Sequence, residues 1–231
     1  MKMIGMLGGM SWESTVSYYR AVNEGVKARL GGLHSARILL YSVDFQQIER
    51  LQHQGDWAAT ATILEEAALA VQRGGADGLI ICTNTMHRVA EQIEQALSIP
   101  LLHIADATGR RLAADGVRRV GLLGTRFTME QPFYRQRLEQ RFGIDVLVPG
   151  RDERERVHRI IYDELCLGRV RDASRQTYLE IIEALRQAGA EAVILGCTEI
   201  ALLVQQAQTA VPLYDTTALH AAAAVDFILA D

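Results

Sequence analysis

The chain has 231 residues, 49% apolar, 23% charged and 6% aromatic, with 24 basic against 28 acidic side chains and a net charge near −4. That length fits one or two compact domains, and the charge supplies no basic field for nucleic acid, with no polybasic run to create one locally. The longest apolar stretches, such as 221–225, fall far short of the ~20 residues that cross a bilayer, and Gly5, Gly8, Gly9 and Glu13 interrupt any early signal-peptide core. Small-molecule chemistry away from membranes and nucleic acid is the expectation.

In chain order the hydrophobic pattern predicts a strand over 2–7, a helix over 12–30, a strand over 37–43, a loop opening at Asp44-Phe45-Gln46-Gln47 and a helix over 57–73. A strand over 78–82, a helix over 86–97, a strand over 101–104 and a helix over 106–114 follow. Next come a strand over 119–123, a helix over 129–142, a strand over 145–148 and helices over 152–167 and 172–188. The series closes with a strand over 192–196, a helix over 199–207, a strand over 212–214 and a helix over 217–229. In the helix after Arg151, Val157, Ile160, Ile161 and Leu165 recur at three- and four-residue steps and give one buried stripe. Near-continuous apolar strands separated by helices indicate parallel sheets covered on both faces, so the class is α/β.

A weak internal repeat runs through this pattern. Ile4-Gly5-Met6-Leu7-Gly8 matches Val120-Gly121-Leu122-Leu123-Gly124, and Tyr18-Tyr19-Arg20 matches Phe133-Tyr134-Arg135. Gly75-Ala76-Asp77 matches Gly189-Ala190-Glu191, and Pro100-Leu101 matches Pro212-Leu213, so four collinear matches keep offsets between 116 and 112 residues. Two similar α/β halves of roughly 110 residues are expected, with no Pro/Ser-rich linker between them.

Three cysteines, Cys82, Cys166 and Cys197, with no Cys-x-x-Cys pair, read as reduced thiols of a cytoplasmic protein and not as a disulfide framework. Cys166, inside a helical stripe, reads as a small core hydrophobe. The only lysines, Lys2 and Lys27, sit at the start of the first strand and near the end of a surface helix, where neither suits a buried Schiff base. No Gly-Lys-Ser or Gly-Lys-Thr is present, which excludes a P-loop. Gly5, Gly8 and Gly9 lack the dinucleotide pattern, leaving a tight strand-to-helix turn as the default and close approach of a ligand as the functional option. His87 has no companions at zinc spacing and reads as capping or packing. The charge run 152–156 reads as a solvated helix start.

The repeat also aligns two strand ends. Leu79-Ile80-Ile81-Cys82-Thr83-Asn84-Thr85 superposes on Val193-Ile194-Leu195-Gly196-Cys197-Thr198-Glu199, which makes Thr83 and Cys197 equivalent and pairs Cys82 with Gly196. In parallel α/β domains ligands bind beyond the carboxyl ends of the strands, where a following helix presents free N–H groups and its positive end. Two such ends facing one pocket would suit inversion at a carbon, where a base removes a proton from one face and an acid returns one to the other. A thiolate can be that base if a helix N-terminus lowers its pKa, and Cys197, followed by Thr198-Glu199 and a helical segment, is expected to be so placed. Asn84, Thr85 and Thr198 are the side-chain types that bind a carboxylate while a carbanion forms.

These motifs resemble the aspartate/glutamate racemase family of cofactor-independent amino-acid racemases, across essentially the whole chain. The resemblance rests on residues 4–15, on Cys82-Thr83-Asn84-Thr85-Met86-His87, on 120–125, and on Gly196-Cys197-Thr198-Glu199-Ile200. It implies two Rossmann-like, flavodoxin-like halves with the active site between them, often a dimer, no cofactor and no metal, and paired catalytic cysteines. The division expected is 1–98 with 212–231, and 99–211, the C-terminal segment returning to the first half. The family's first motif reads Cys-Asn-Thr followed two residues later by His, so Thr83 stands where a catalytic cysteine is usual. Cys82, one residue earlier on an extended strand, should point the opposite way.

The resemblance implies Thr83 and Cys197 as the catalytic pair, in a direction-biased enzyme close to the broad-specificity or L-aspartate/glutamate-specific bacterial members. By position it carries over Met10, Gln47, Asn84, Thr85, Thr125 and Thr198 as substrate contacts. The family's acidic specialists use basic residues for the distal carboxylate, and 160–168 here contains no lysine, so neutral substrates such as homoserine join aspartate and glutamate. Rival readings are a lyase or isomerase on the same fold, such as a decarboxylase or hydantoin racemase, and an amino-acid sensor that has lost turnover.

Overall fold

The computed structural model describes residues 1–230. The chain divides into two compact units, one of Met1–Ile104 joined by the residues from His220 onward, the other Ala105–Leu219. The first contains β1 (Met3–Gly8), α1 (Trp12–Leu30), β2 (Arg37–Ser42), α2 (Phe45–Gln54), α3 (Trp57–Arg73), β3 (Gly78–Ile81), a 3-10 turn over Thr85–Val89 and α4 (Ala90–Ala96). The second follows with α5 (Ile104–Ala114), β4 (Arg119–Gly124), α6 (Arg126–Glu130), α7 (Pro132–Phe142), β5 (Asp145–Leu147), α8 (Arg151–Asp163) and α9 (Asp172–Gln187). It closes with β6 (Ala192–Gly196), α10 (Ile200–Leu203), β7 (Leu213–Asp215) and the start of α11 (Thr216–Leu229). Among the described residues no helix is long and apolar enough to cross a membrane.

The first unit's sheet runs β2-β1-β3, all parallel, and Leu101 adds a single bridge to Leu79 where a fourth strand would lie. Side chains alternate across this sheet as the two-residue period requires. Leu7, Leu79 and Ile81 enter a core with Leu64, Ala68 and Val71 of α3. Ile4, Met6, Ile80 and Cys82 enter another with Tyr18, Val22 and Val26 of α1 and Ala221, Ala224 and Val225 of α11. Each fully buried Val, Leu, Ile or Met side chain here stabilises by roughly 1.5–3 kcal/mol relative to exposure.

The second unit's sheet runs β5-β4-β6-β7, again parallel. Both sheets therefore follow the flavodoxin-like order in which the first strand of each set lies inside the second and beside the third. The register repeats as well: Gly5 lies opposite Leu79, and Gly121 opposite Val193. The Leu79 N–H donates to the Pro100 carbonyl at 2.9 Å, and the Val193 N–H to the Pro212 carbonyl at 2.8 Å.

Several segments differ from the sequence expectation, among them the helix of 86–97, which divides into a 3-10 turn over Thr85–Val89 and α4. Residues Phe45–Gln54 form a helix, not a loop, because Asp44 caps it by accepting from the Gln46 N–H at 3.1 Å and Gly55 ends it at φ +74°. The helix expected over 129–142 begins earlier and breaks at Gln131, which is extended before Pro132. Residues 101–104 make one bridge and not a strand, since Ile104 already begins α5. The helix of 199–207 shrinks to four residues and a separate 3-10 turn. The helix of 152–167 ends at Asp163, and Cys166 is half-buried in a following 3-10 turn, not inside a helical stripe.

Candidate functional site

In the first unit the candidate residues collect at the carboxyl edge of the sheet. After β1 the chain turns at Gly9, whose φ of +91° and whose missing Cβ, which would lie 2.2 Å from the Val43 carbonyl oxygen, leave room only for glycine. The Gly9 N–H donates to Thr15 Oγ1 at 2.8 Å, and the Thr15 hydroxyl donates to the Ser11 carbonyl at 3.0 Å, which pins the turn to the first helix. Gly5 and Gly8 admit neighbouring side chains, Val71 and Thr15, so all three glycines have structural causes. Met10, just beyond, is buried. Gln47 lies exposed on the first turn of α2, beyond the end of β2.

Beyond β3, Thr83 is half-buried and Asn84 and Thr85 are buried. The Thr83 N–H turns back to the Ile81 carbonyl at 2.8 Å, so the chain leaves the ladder there. The Thr83 carbonyl accepts a hydrogen bond from the His87 ring at 2.8 Å. Cys82 is fully buried within the core cluster, and burial alone pushes its thiol pKa up, as for a small core hydrophobe.

The second unit's carboxyl edge is built on a close pair of strands. Gly124 of β4 lies opposite Gly196 of β6, and a Cβ on either would sit 2.9 and 2.8 Å respectively from a neighbouring carbonyl oxygen. The residues that follow, Thr125 and Cys197, thus emerge from adjacent strands. Thr125 caps α6, its hydroxyl accepting from the Thr128 N–H at 3.3 Å. The Cys197 thiol donates to Glu199 Oε2 at 2.9 Å, and the Thr198 hydroxyl donates to the same oxygen at 2.6 Å. Cys197 and Glu199 are both buried.

This geometry corrects the expected electrostatics of the thiol. Burial, then the Glu199 carboxylate, pushes the Cys197 pKa well above its ordinary value. The four-residue α10 offers little dipole to oppose them. Cys197 therefore rests as a neutral thiol with a proton acceptor already bonded to it, and not as a free thiolate. Glu199 is the residue that the reading of the strand end left without a role, although a carboxylate two residues after the cysteine was the available signal. Among the described residues, no three His, Cys, Asp or Glu side chains gather as a metal centre would need.

Comparison with known proteins agrees with these features. A family model described as Asp/Glu/hydantoin racemase matches residues 7–224. The crystal structure of a Yersinia pestis protein provisionally named an Asp/Glu racemase is 54% identical, with all of both chains covered and a TM-score of 0.94. An aspartate racemase homologue from Pyrococcus horikoshii is 32% identical over 99% of each chain, with a TM-score of 0.86. The broad specificity amino-acid racemase RacX of Bacillus subtilis is 24% identical over 99% of each chain. With a family match over nearly its whole length and relatives of this identity, the chain belongs to the Asp/Glu/hydantoin racemase family.

Proposed function

We propose that this cofactor-independent amino-acid racemase moves the Cα proton between Cys197 on one face of the substrate and Thr83 on the other. The observation that carries the reading is the Cys197 thiol bonded to the buried Glu199 carboxylate at the end of β6. Transfer of the thiol proton to Glu199 leaves a thiolate that can take the Cα proton. The Thr83 hydroxyl then delivers a proton to the opposite face as it receives one from water, and the proton held by Glu199 passes to solvent to neutralise the hydroxide left behind, so no alkoxide accumulates and the resting state returns. Asn84, Thr85 and Thr198 hold the α-carboxylate as charge grows at Cα, with Met10, Gln47 and Thr125 as further contacts. A sulfur acid/base on one side and a weakly acidic hydroxyl on the other bias the direction of turnover. Aspartate and glutamate are proposed substrates, with neutral polar amino acids such as homoserine beside them, in keeping with the broad specificity named for the Bacillus subtilis relative.

Proton NMR in deuterated water across L- and D-amino acids tests this reading. Loss of the Cα–H signal without loss of carbon dioxide is expected, in one direction faster than the other. Cys197→Ser should slow exchange by about 10²–10⁴-fold and Cys82→Ala should leave it near wild type, while Thr83→Cys should gain exchange of the opposite enantiomer. No exchange with any amino acid in the unmutated protein would remove the proposal.

We also propose a cytoplasmic homodimer. The free cysteines suit a reducing compartment. On α1, Trp12, Val16 and Tyr19 lie exposed at helical spacing, and the edge strand β2 exposes Leu40 and Tyr41. Sedimentation should give twice the chain mass, and Trp12→Glu with Tyr19→Glu should give the monomer; a wild-type monomer at micromolar concentration would end this part.

A further inference from the structure

Behind Thr83 lie three buried imidazoles to which the proposed proton transfer assigns no part. The His87 ring centroid lies 4.5 Å from that of His103 and 5.6 Å from that of His220, and the Tyr18 ring stands edge-on to His220 at 5.6 Å. The hydrogen bonds fix where the protons are. A backbone N–H can only donate, so His87 Nε2, 3.2 Å from the Ile104 nitrogen, is the acceptor. The proton of that ring then sits on Nδ1 and is donated to the Thr83 carbonyl at 2.8 Å. A carbonyl can only accept, so His220 carries its proton on Nε2, 2.6 Å from the Leu102 oxygen, and its Nδ1 accepts from the Tyr18 hydroxyl at 2.9 Å. The His87 ring is thereby held in a single tautomer, because a proton on its Nε2 would face the Ile104 N–H.

The Thr83 peptide needs such a support. The Thr83 N–H, in the peptide before it, has already left the sheet ladder for the Ile81 carbonyl, so the ladder no longer fixes the backbone entering Thr83, and the His87 ring holds the peptide that follows through its carbonyl. Threonine is stiff at χ1, and the direction of its hydroxyl therefore follows its backbone. A displacement of about 1 Å at a reacting group can cost on the order of 10²-fold in rate. We infer that His87 is a positioning residue: its Nδ1–H aims the Thr83 hydroxyl by holding the Thr83 carbonyl, while its Nε2 separately caps the first residue of α5. This rests on the reading of Thr83 as the group opposite the thiol.

The two nitrogens can be tested apart. In His87→Asn the side-chain amide N–H lies near the place of Nδ1–H, which keeps the Thr83 bond and loses the acceptor for Ile104. In His87→Gln the side-chain oxygen reaches the place of Nε2, which keeps the α5 cap and loses the donor to Thr83. The Asn variant should melt at lower temperature yet keep kcat for Cα exchange within about threefold. The Gln variant should keep the wild-type Tm and lose kcat by about 10–100-fold at nearly unchanged KM. A structural role alone would make kcat follow Tm in both variants, and that result, or wild-type kcat in the Gln variant, overturns the inference. Nitrogen-15 spectra at pH 7 should show His87 protonated at Nδ1 and His220 at Nε2; a His87 protonated at Nε2 overturns it equally. Thr83→Val separates the two levels. Undiminished exchange there defeats the role of Thr83 itself, whereas loss of exchange in Thr83→Val with a normal Gln variant defeats only the positioning by His87.

Discussion

Glu199 decides what Cys197 can do at neutral pH. Burial raises the pKa of the thiol most, and the carboxylate 2.9 Å away raises it further by repulsion of the thiolate while offering the place to which its proton can go. The sign follows directly. With the pKa raised, the thiolate is scarce at pH 7 and alkylation of Cys197 should climb only above the ordinary thiol range. Glu199→Gln removes the repulsion while burial stays, so the pKa falls part of the way back. Iodoacetamide at pH 8 should therefore modify the Gln variant faster than the wild type, although Cα exchange slows by about 10²-fold for want of the acceptor. Equal alkylation profiles in the two proteins would show that the carboxylate does not act on the thiol. Cys82 illustrates what was legible at this scale. The two-residue period turned it away from Thr83, and it is fully buried with Ile80 and Tyr18, while Thr83 beyond the strand end is half-buried. The turn of Glu199 back onto Cys197 was not legible, because residue types do not say where a carboxylate two positions away will point.

Elements were legible where both ends carry a signal. The ranges 12–30 and 57–73 match α1 and α3, whose capping side chains are Ser11 and Asp56 and whose next residues after the last turn are Gly31 and Gly74. The same signals stand around 45–54, with Asp44 before and Gly55 after, but a run of polar side chains there hid the period: Ile48 and Gln52 are buried and Phe45 packs half-buried against the core. At Pro132 the apolar spacing continued through a point at which the preceding residue had to be extended, and the local steric rule prevailed over the period. The segment after Cys197 shows the opposite case. Ala201, Leu202, Leu203 and Val204 promise a long helix, yet α10 stops at Leu203 and Gln206 turns its side-chain amide to the Thr209 and Val211 carbonyls at 3.0 and 3.1 Å. Tertiary packing and side-chain hydrogen bonds there outweigh intrinsic propensity.

At the scale of the molecule the duplication was the most legible feature, because glycine matches mark places where two elements touch. Gly5 of β1 admits Val71 of α3, and Gly121 of β4 admits Leu185 of α9, the position equivalent to Val71 in the repeat. A Cβ on Gly5 would lie 2.3 Å from Val71 Cγ1, and one on Gly121 would lie 2.8 Å from Leu185 Cδ1. Both units therefore seat a helix on the sheet through the same missing side chain, and the same test applies to each. Gly5→Ala should destabilise by about 1–3 kcal/mol through overpacking, and Gly121→Ala by less, since a leucine tip can rotate where a valine is stiff. Adding Val71→Ala to Gly5→Ala should restore part of the loss, with a coupling of about 0.5–3 kcal/mol, and Leu185→Ala should do so more weakly for Gly121→Ala. Paired urea denaturation curves of the single and double variants measure both cycles. If the changes simply add in both units, the close approach of helix to strand is not what these glycines are for, and the repeat would be one of sequence without a shared packing solution.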